Sequence, residues 1–153
     1  MMSDPLVERV QSELVAAMKR RDELSLSVLR MLKSAIQLAQ VEKGRDAVLT
    51  DEEVVTLVQR LVKQRQEAAE QYRAGGAADR ADRELEEARF LQGYLPEQLS
   101  DEELESLTRR VAQDTGAASP KDLGKVMGRV MPLVKGRAEG NRVRAAALKV
   151  LGS

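Results

Sequence analysis

Apolar residues recur at three- and four-residue spacing along nearly the whole sequence, and this period constrains the fold more than any other feature. In one long segment Val54, Val58, Leu61, Val62 and Ala69 fall on one side of a helix. No stretch of four or more residues shows the alternation in β-branched or aromatic residues that is typical of a strand. The chain is therefore predicted to be all-α.

Two capping boxes mark helix starts. The sequence TDEE places Thr50 three residues before Glu53, and LSDEE places Ser100 three residues before Glu103. In this spacing the hydroxyl accepts from the backbone N–H of the glutamate, and the carboxylate accepts from the backbone of the first residue. Carboxylates in a first turn also favour the helix dipole, so we interpret both acidic clusters as helix starts and not as metal ligands.

A domain boundary is predicted at the sequence GYLPEQLS, residues 93–100. Glycine ends a helix, and proline disfavours the helical conformation at the residue before it. We therefore predict an N-terminal helical domain over residues 1–94 and a C-terminal domain over residues 97–153. The second domain contains three short segments of helical periodicity, which predict a small three-helix bundle.

Cysteine and histidine are both absent, which removes several classes of chemistry. The chain has no thiol nucleophile or thiolate metal site, no usual general base near neutral pH, and no imidazole ligand. It also lacks the G-x-x-x-x-G-K-[ST] loop that holds phosphates in many nucleotide-binding enzymes. We therefore predict no catalytic residue, no cofactor and no metal site, and we do not expect an enzyme that acts by itself.

The sequence contains no sign of a membrane segment. No apolar run approaches the roughly 20 residues needed to span a bilayer. The first ten residues, MMSDPLVERV, lack the apolar core of a signal peptide. We expect a cytoplasmic protein with no membrane partner.

Charge is balanced over the chain but unevenly distributed. Lys+Arg and Asp+Glu are both 25, yet residues 121–153 hold eight basic side chains and only two acidic ones. The balanced total argues against indiscriminate binding of polyanions. The basic last third still permits a defined surface that faces phosphates.

The most unusual segment is DLGKVMGRVMPLVKGRAEGNRV, residues 122–143. Gly124 and Gly128 lie inside a predicted helix, where each glycine costs about 1 kcal/mol relative to alanine. On a helical wheel these glycines lie between the apolar face and a row of basic residues at four-residue spacing, which comprises Lys121, Lys125 and Arg129.

Two interpretations of these glycines are open: another helix crosses closely there, or an external RNA backbone approaches and contacts the basic row. The following loop, KGRAEG, adds basic residues just before a helix N-terminus, where free N–H groups can bind phosphate. The candidate RNA-binding residues are Lys121, Lys125, Arg129, Lys135, Arg137 and Arg142. The candidate positions of close backbone approach are Gly124, Gly128, Gly136 and Gly140.

Four stretches of the sequence carry a resemblance to a known family: LRMLKSAIQLAQVEKG (29–44), LTDEEVVTLVQRLVKQRQEAAEQYRAGG (49–76), YLPEQLSDEEL (94–104) and DLGKVMGRVMPLVKGRAEGNRV (122–143). On these stretches the whole chain resembles the YqeY family of small bacterial proteins. Residues 97–153 are also similar to the tail domain of GatB, a subunit of the glutamine-dependent Asp-tRNA/Glu-tRNA amidotransferase, whose tail helps to hold the tRNA. One departure is Glu139, where the family commonly has Asp, and the longer side chain changes the capping expected at that helix start.

The resemblance implies a non-catalytic accessory protein that binds tRNA or associates with subunits of the amidotransferase, a carbon–nitrogen ligase with glutamine as the amido donor. An amidotransferase that acts alone would need chemistry that this chain does not display. The alternative is a protein–protein interaction module whose basic C-terminal face binds an acidic partner. Because only Tyr72, Phe90 and Tyr94 are aromatic, base stacking is not expected, and RNA would be recognised by its backbone and shape.

Overall fold

The computed structural model describes residues 5–152. Within that range the chain forms seven α-helices and a short 3₁₀-helix, Pro120–Asp122, and it contains no strand. The all-α prediction is confirmed. The α-helices are α1 (Leu6–Arg20), α2 (Glu23–Lys43), α3 (Asp51–Ala74), α4 (Ala78–Gln92), α5 (Asp101–Thr115), α6 (Leu123–Leu133) and α7 (Gly140–Leu151).

The chain divides between Leu95 and Pro96 into two compact units. In the first unit, α1 to α4 surround a core of aliphatic side chains, and α3 and α4 share the most extensive helix–helix contact. Each fully buried Leu or Val contributes about 1.5–3 kcal/mol relative to an exposed one. The largest fully buried side chains of this unit are Leu29, Leu32, Leu91, Val10, Val28, Val54, Val58 and Val62.

Tyr94 attaches the end of the first unit to α1. Its hydroxyl donates to the carboxylate of Glu13, and the guanidinium of Arg9 lies 4.7 Å from the centre of its ring. Arg9 also pairs with Glu13 at 2.9 Å and donates to the carbonyl of Gly93 at 3.3 Å. Burial, together with the hydrogen bond to Glu13, raises the pKa of Tyr94. The tyrosine is therefore a packed structural residue that stays protonated at neutral pH.

The capping box at the start of α3 is complete. The hydroxyl of Thr50 accepts from the backbone N–H of Glu53 at 3.2 Å, and the Glu53 carboxylate accepts from the backbone N–H of Thr50 at 3.1 Å. The same carboxylate accepts from Nζ of Lys43 at 2.6 Å. These bonds, with that of Lys43 first, lower the pKa of Glu53 to about 2. At the start of α5 only half of the predicted box forms: Ser100 accepts from the backbone N–H of Glu103 at 3.1 Å, without the return bond to the Glu103 carboxylate.

In the second unit, α5, α6 and α7 surround a separate core, and each of the three helices contacts the other two. Its fully buried side chains come from all three helices and from the loop before α7, and the polar Thr108 is buried among them. The hydroxyl of Thr108 donates to the carbonyl of Leu104 at 2.7 Å, which satisfies it without a partner from another helix. The core consists of Leu99, Leu104, Val111, Ala112, Val126, Val130, Val134, Ala138, Val143, Ala147 and Leu151.

We predict that a fragment of residues 96–153 folds on its own, because every side chain of this core lies within it. Its circular dichroism should show a helical spectrum that melts cooperatively on heating. A fragment of this small size is close to the lower limit for an independent core, so the spectrum should be recorded at low temperature. A coil spectrum at low temperature would show that the second unit is not autonomous.

We also predict a pH-dependent contribution from Glu53. Since its pKa is lowered from 4.5 to about 2 in the folded chain, the stabilisation is fully present above pH 4.5 and is lost as the pH falls towards 2. Glu53→Gln should therefore lower the melting temperature at pH 7, and the difference from the unmodified chain should narrow as the pH falls below 4.5.

Glu52 is the matched control for this experiment. It is an exposed carboxylate in the same first turn, and its side chain makes no hydrogen bond or ion pair with the described residues. Glu52→Gln should change the melting temperature much less at pH 7. An equal decrease in melting temperature in both variants would indicate that the helix dipole, and not the capping box, is the source of the stabilisation.

Candidate nucleic-acid interface

The helix α6 is divided into a buried side and a bare, basic side. Val126 and Val130 are fully buried in the core of the second unit, and Leu123 and Met127 pack against that core. The opposite side of α6 carries no acidic residue. This amphipathic pattern fixes which side chains reach solvent.

Two of the three residues of the predicted basic row lie on the exposed side of α6. Lys125 and Arg129 are exposed on α6 itself, about 6 Å apart along the helix axis. Lys121 is also exposed, but it belongs to the 3₁₀-helix that precedes α6. Lys121 and Arg129 make no ion pair within the part of the chain that the structure describes. Their charges are therefore available to an external anion.

The carboxylate of Asp122, which lies in the turn beside these cations, accepts hydrogen bonds from the backbone. Asp122 accepts from the N–H groups of Ala118 and Ser119 at 3.0 and 3.3 Å. These two bonds, with a smaller contribution from the charge of Lys125, lower the pKa of Asp122. Asp122 thus caps the start of the 3₁₀-helix, and its hydrogen bonds are made with the turn instead of with the basic side chains.

Gly124 and Gly128 are exposed beside these cations. A Cβ on either glycine would meet no neighbouring side chain or helix within 4 Å. The first interpretation of these glycines, a close helix crossing, is therefore not realised within residues 5–152. Neither glycine has the positive φ that would require its type. Among residues 5–152, nothing in the packing explains why these two positions lack a side chain.

Pro132 lies inside α6, which continues to Leu133. Pro132 alone predicts a helix end at about residue 131, and that prediction is wrong, since α6 continues past the proline. A proline is tolerated in the last turn because it removes only one hydrogen bond there. The bond that it removes is the one from position 132 to the carbonyl of Gly128. That carbonyl is an acceptor in the exposed, glycine-bearing part of the helix.

Arg137 and Arg142 hold the unit together. Nε of Arg137 donates to the carbonyl of Glu97 at 3.0 Å. Arg142 donates to the carbonyl of Leu99 at 2.6 Å and pairs with Asp101 at 2.8 Å. Both guanidinium groups are therefore engaged within the fold, unlike those of the exposed row. Lys135 remains exposed, with no ion pair in the described part of the chain.

The other two candidate glycines differ from each other. Gly136 is buried and has a φ of 79°, a left-handed conformation that favours glycine. Gly140 begins α7, and a Cβ there would lie 3.9 Å from Cε of Met131, an ordinary contact that does not require glycine. At the N-cap of α7, Glu139 makes no side-chain capping bond, which agrees with the altered capping expected from its extra methylene. Of the four candidates, Gly124 and Gly128 are the two that lie in α6 beside the exposed cations.

Two exposed apolar side chains were not anticipated from the sequence. Met131 is 38% exposed and Leu133 is 60% exposed, both at the C-terminal end of α6. Helical spacing would have identified Met131, which lies off the buried stripe of Val126 and Val130, but not Leu133, which falls on that stripe by spacing and is exposed because it ends the helix. Met131 adds an apolar side chain to the glycine-bearing side of α6.

Among residues 5–152 no group of three Asp or Glu side chains is placed to hold a metal ion, and no helix is long and apolar enough to cross a membrane. A cavity of about 410 Å³ borders α5 and α7, but its acidic and basic side chains pair with one another. The chemistry that the exposed side of α6 offers is attraction of an anionic partner that approaches the helix backbone closely. The cavity that borders α5 and α7 is lined by Asp101, Leu104, Glu105, Asn141, Arg142, Ala145, Ala146 and Lys149.

We predict that Gly124→Ala and Gly128→Ala each stabilise the chain. The added methyl groups enter open space, and alanine is favoured over glycine in a helix by up to about 1 kcal/mol. Urea unfolding followed by circular dichroism should show a higher midpoint for both variants. Gly116→Ala is the matched control: that glycine is also exposed, but its φ of 73° should make the substitution destabilising. Destabilisation by all three would indicate that another element packs against α6.

Comparison with known proteins assigns the family. A family model described as Yqey-like protein matches residues 7–151. A Pyrenophora tritici-repentis protein named Altered inheritance of mitochondria protein 41, mitochondrial, is 26% identical over 135 residues, which cover 87% of this chain and 73% of that protein. An uncharacterized protein of Schizosaccharomyces pombe is 30% identical over 92 residues, 60% of this chain and 73% of its own. Because the family match spans nearly the whole chain, the protein belongs to the YqeY family.

Proposed function

We propose that this protein is a non-catalytic accessory protein that binds folded tRNA through the exposed side of α6. The observation that carries the proposal is the pair of bare glycines beside unpaired cations. Gly124 and Gly128 cost helix stability, yet no neighbouring element fills the space that they leave. A phosphodiester backbone would use both features, because it needs close approach and positive charge.

Electrostatics supports a nucleic acid as the partner. Phosphate contacts by Lys and Arg supply most of the affinity of sequence-independent binding, through release of counterions. The free cations are Lys121, Lys125, Arg129 and Lys135, so about three or four phosphates are within the capacity of this surface. With two tyrosines and one phenylalanine in the whole chain, stacking on unpaired bases contributes little. The proposal is therefore recognition of a folded RNA by its backbone.

The resemblance of residues 97–153 to the tail domain of GatB extends the proposal to the cellular setting. The protein would hold tRNA for a glutamine-dependent amidotransferase, a carbon–nitrogen ligase, while other subunits perform activation and amide transfer. It would work in the cytoplasm, where it meets charged tRNA. The absence of histidine and cysteine agrees with a holding role, since these are the side chains most often used as base or nucleophile.

The second candidate is a module that binds an acidic protein. The exposed Met131 and Leu133 favour it, because apolar side chains contribute to a protein interface and are not needed to contact phosphates. The bare glycines would then admit a partner helix. We rank this candidate second because four exposed cations accompany only two exposed apolar side chains on this surface.

We predict salt-dependent binding of folded tRNA. A plot of log K against log salt between about 50 and about 200 mM should have a slope of roughly −2 to −4 for about three or four phosphates. The double substitution Lys125→Glu/Arg129→Glu should weaken binding and make the slope shallower, measured by fluorescence anisotropy. Its melting temperature should be nearly unchanged, because both side chains are exposed.

Two double variants complete this experiment. Arg110→Glu/Arg144→Glu changes the net charge by the same amount at exposed positions of α5 and α7, and it should have a much smaller effect. Met131→Ser/Leu133→Ser should leave tRNA binding intact and weaken only an apolar partner. Absence of tRNA binding at low salt, or equal losses in both charge-reversal variants, would defeat the proposed function.

A further inference from the structure

The carbonyl of Gly128 is an unusual acceptor. A carbonyl inside an α-helix normally accepts from the N–H four residues later, and here that residue is Pro132, which has none. In an ideal helix the proline ring also clashes with the carbonyl four residues earlier, which here is that of Gly128. By contrast, the carbonyls of Val130 and Met131 near the helix end both accept from the N–H of Val134, at 3.2 and 3.3 Å.

This acceptor lies at the edge of the basic row. On the wheel of α6, Gly128 is separated from Pro132 by about 40° and from Lys125 by about 60°. Gly128, Pro132 and Lys125 are all exposed. With no side chain at Gly128, a small group can approach this part of the backbone closely.

We propose that this carbonyl lets the surface distinguish RNA from DNA, by accepting a hydrogen bond from a ribose 2′-hydroxyl. The inference rests on the proposed function, since it requires a nucleic-acid backbone along α6. Lys125 and Arg129 hold phosphates on either side, and the sugar between them presents its hydroxyl to the carbonyl of Gly128. The 2′-hydroxyl is the donor that DNA lacks. Phosphate contacts alone would not discriminate between the two polymers.

The test uses one RNA hairpin in two forms that differ only in the donor. One form is ordinary RNA, and the other carries 2′-fluoro sugars, which keep the A-form geometry but cannot donate. The full-length chain should bind the ordinary hairpin about three- to tenfold more tightly, the effect of one hydrogen bond. The salt slope should be the same for both forms, because the phosphates are unchanged.

Pro132→Ala supplies the decisive variant. Alanine restores an N–H at position 132, which bonds to the carbonyl of Gly128 and removes the acceptor from the surface. This variant favours the helix, so it should fold, and circular dichroism checks that it does. It should bind both hairpins with the affinity that the unmodified chain has for the 2′-fluoro form. Pro120→Ala, a proline outside α6, should leave the preference unchanged.

The outcomes separate the two proposals. Equal binding of both hairpins by the unmodified chain, with normal salt dependence, overturns the role of Gly128 and leaves the proposed function intact. A preference that survives Pro132→Ala also overturns it. If neither hairpin nor folded tRNA binds at low salt, the proposed function fails and this inference fails with it.

Discussion

The second unit depends on a set of contacts between two segments that are about 40 residues apart in the chain. The backbone N–H of Leu99 donates to the carbonyl of Arg137 at 2.9 Å, and the side chain of Arg137 donates back to the carbonyl of Glu97. Gln98 donates to the carbonyl of Gly136 at 2.7 Å, and Arg142 closes the set at Leu99. Because these bonds fix the entry to α5 against the loop before α7, α6 is held between two anchored helices.

These contacts also decide which charges remain available. The acidic side chains of α5 are engaged by α7: Asp101 pairs with Arg142, and Glu105 pairs with Lys149 at 3.0 Å. The bond from Lys149, with a further one from Arg109, lowers the pKa of Glu105. Two of the basic side chains of α7, Arg142 and Lys149, are therefore neutralised, whereas Lys125 and Arg129 of α6 make no ion pair among residues 5–152. The number of basic residues in the sequence does not reveal which of them are paired with a carboxylate.

The helices could be predicted because their signals are local. Thr50 with Glu53 and Ser100 with Glu103 lie within a few residues of the helix starts that they define. The same holds for the basic row and its glycines, whose four-residue spacing places them on one side of a helix. Pro132 shows the limit of such signals, because the sequence indicates a helix end but not that the last turn continues past it.

Long-range contacts could not be predicted from the sequence. Arg137 and Arg142 have the same local character as Lys135, and only their partners from Glu97 to Asp101 make them structural. The start of α1 gives a second case: the N–H of Leu6 is satisfied by the carboxylate of Asp51, 45 residues away. A single sequence contains no local pattern that pairs such positions, so their roles depend on the assembled fold.

The two glycines and the proline of α6 also affect motion. Together, the glycines make this helix weaker than an alanine-bearing one by about 2 kcal/mol, and Pro132 removes one of its hydrogen bonds. Of the three helices in the second unit, α6 is thus the one in which transient opening costs least, and its amides should exchange with solvent sooner than those of α5 and α7. A partner that bound the bare side would suppress this opening and stabilise the unit by mass action. Binding and local rigidity are therefore thermodynamically coupled in this helix.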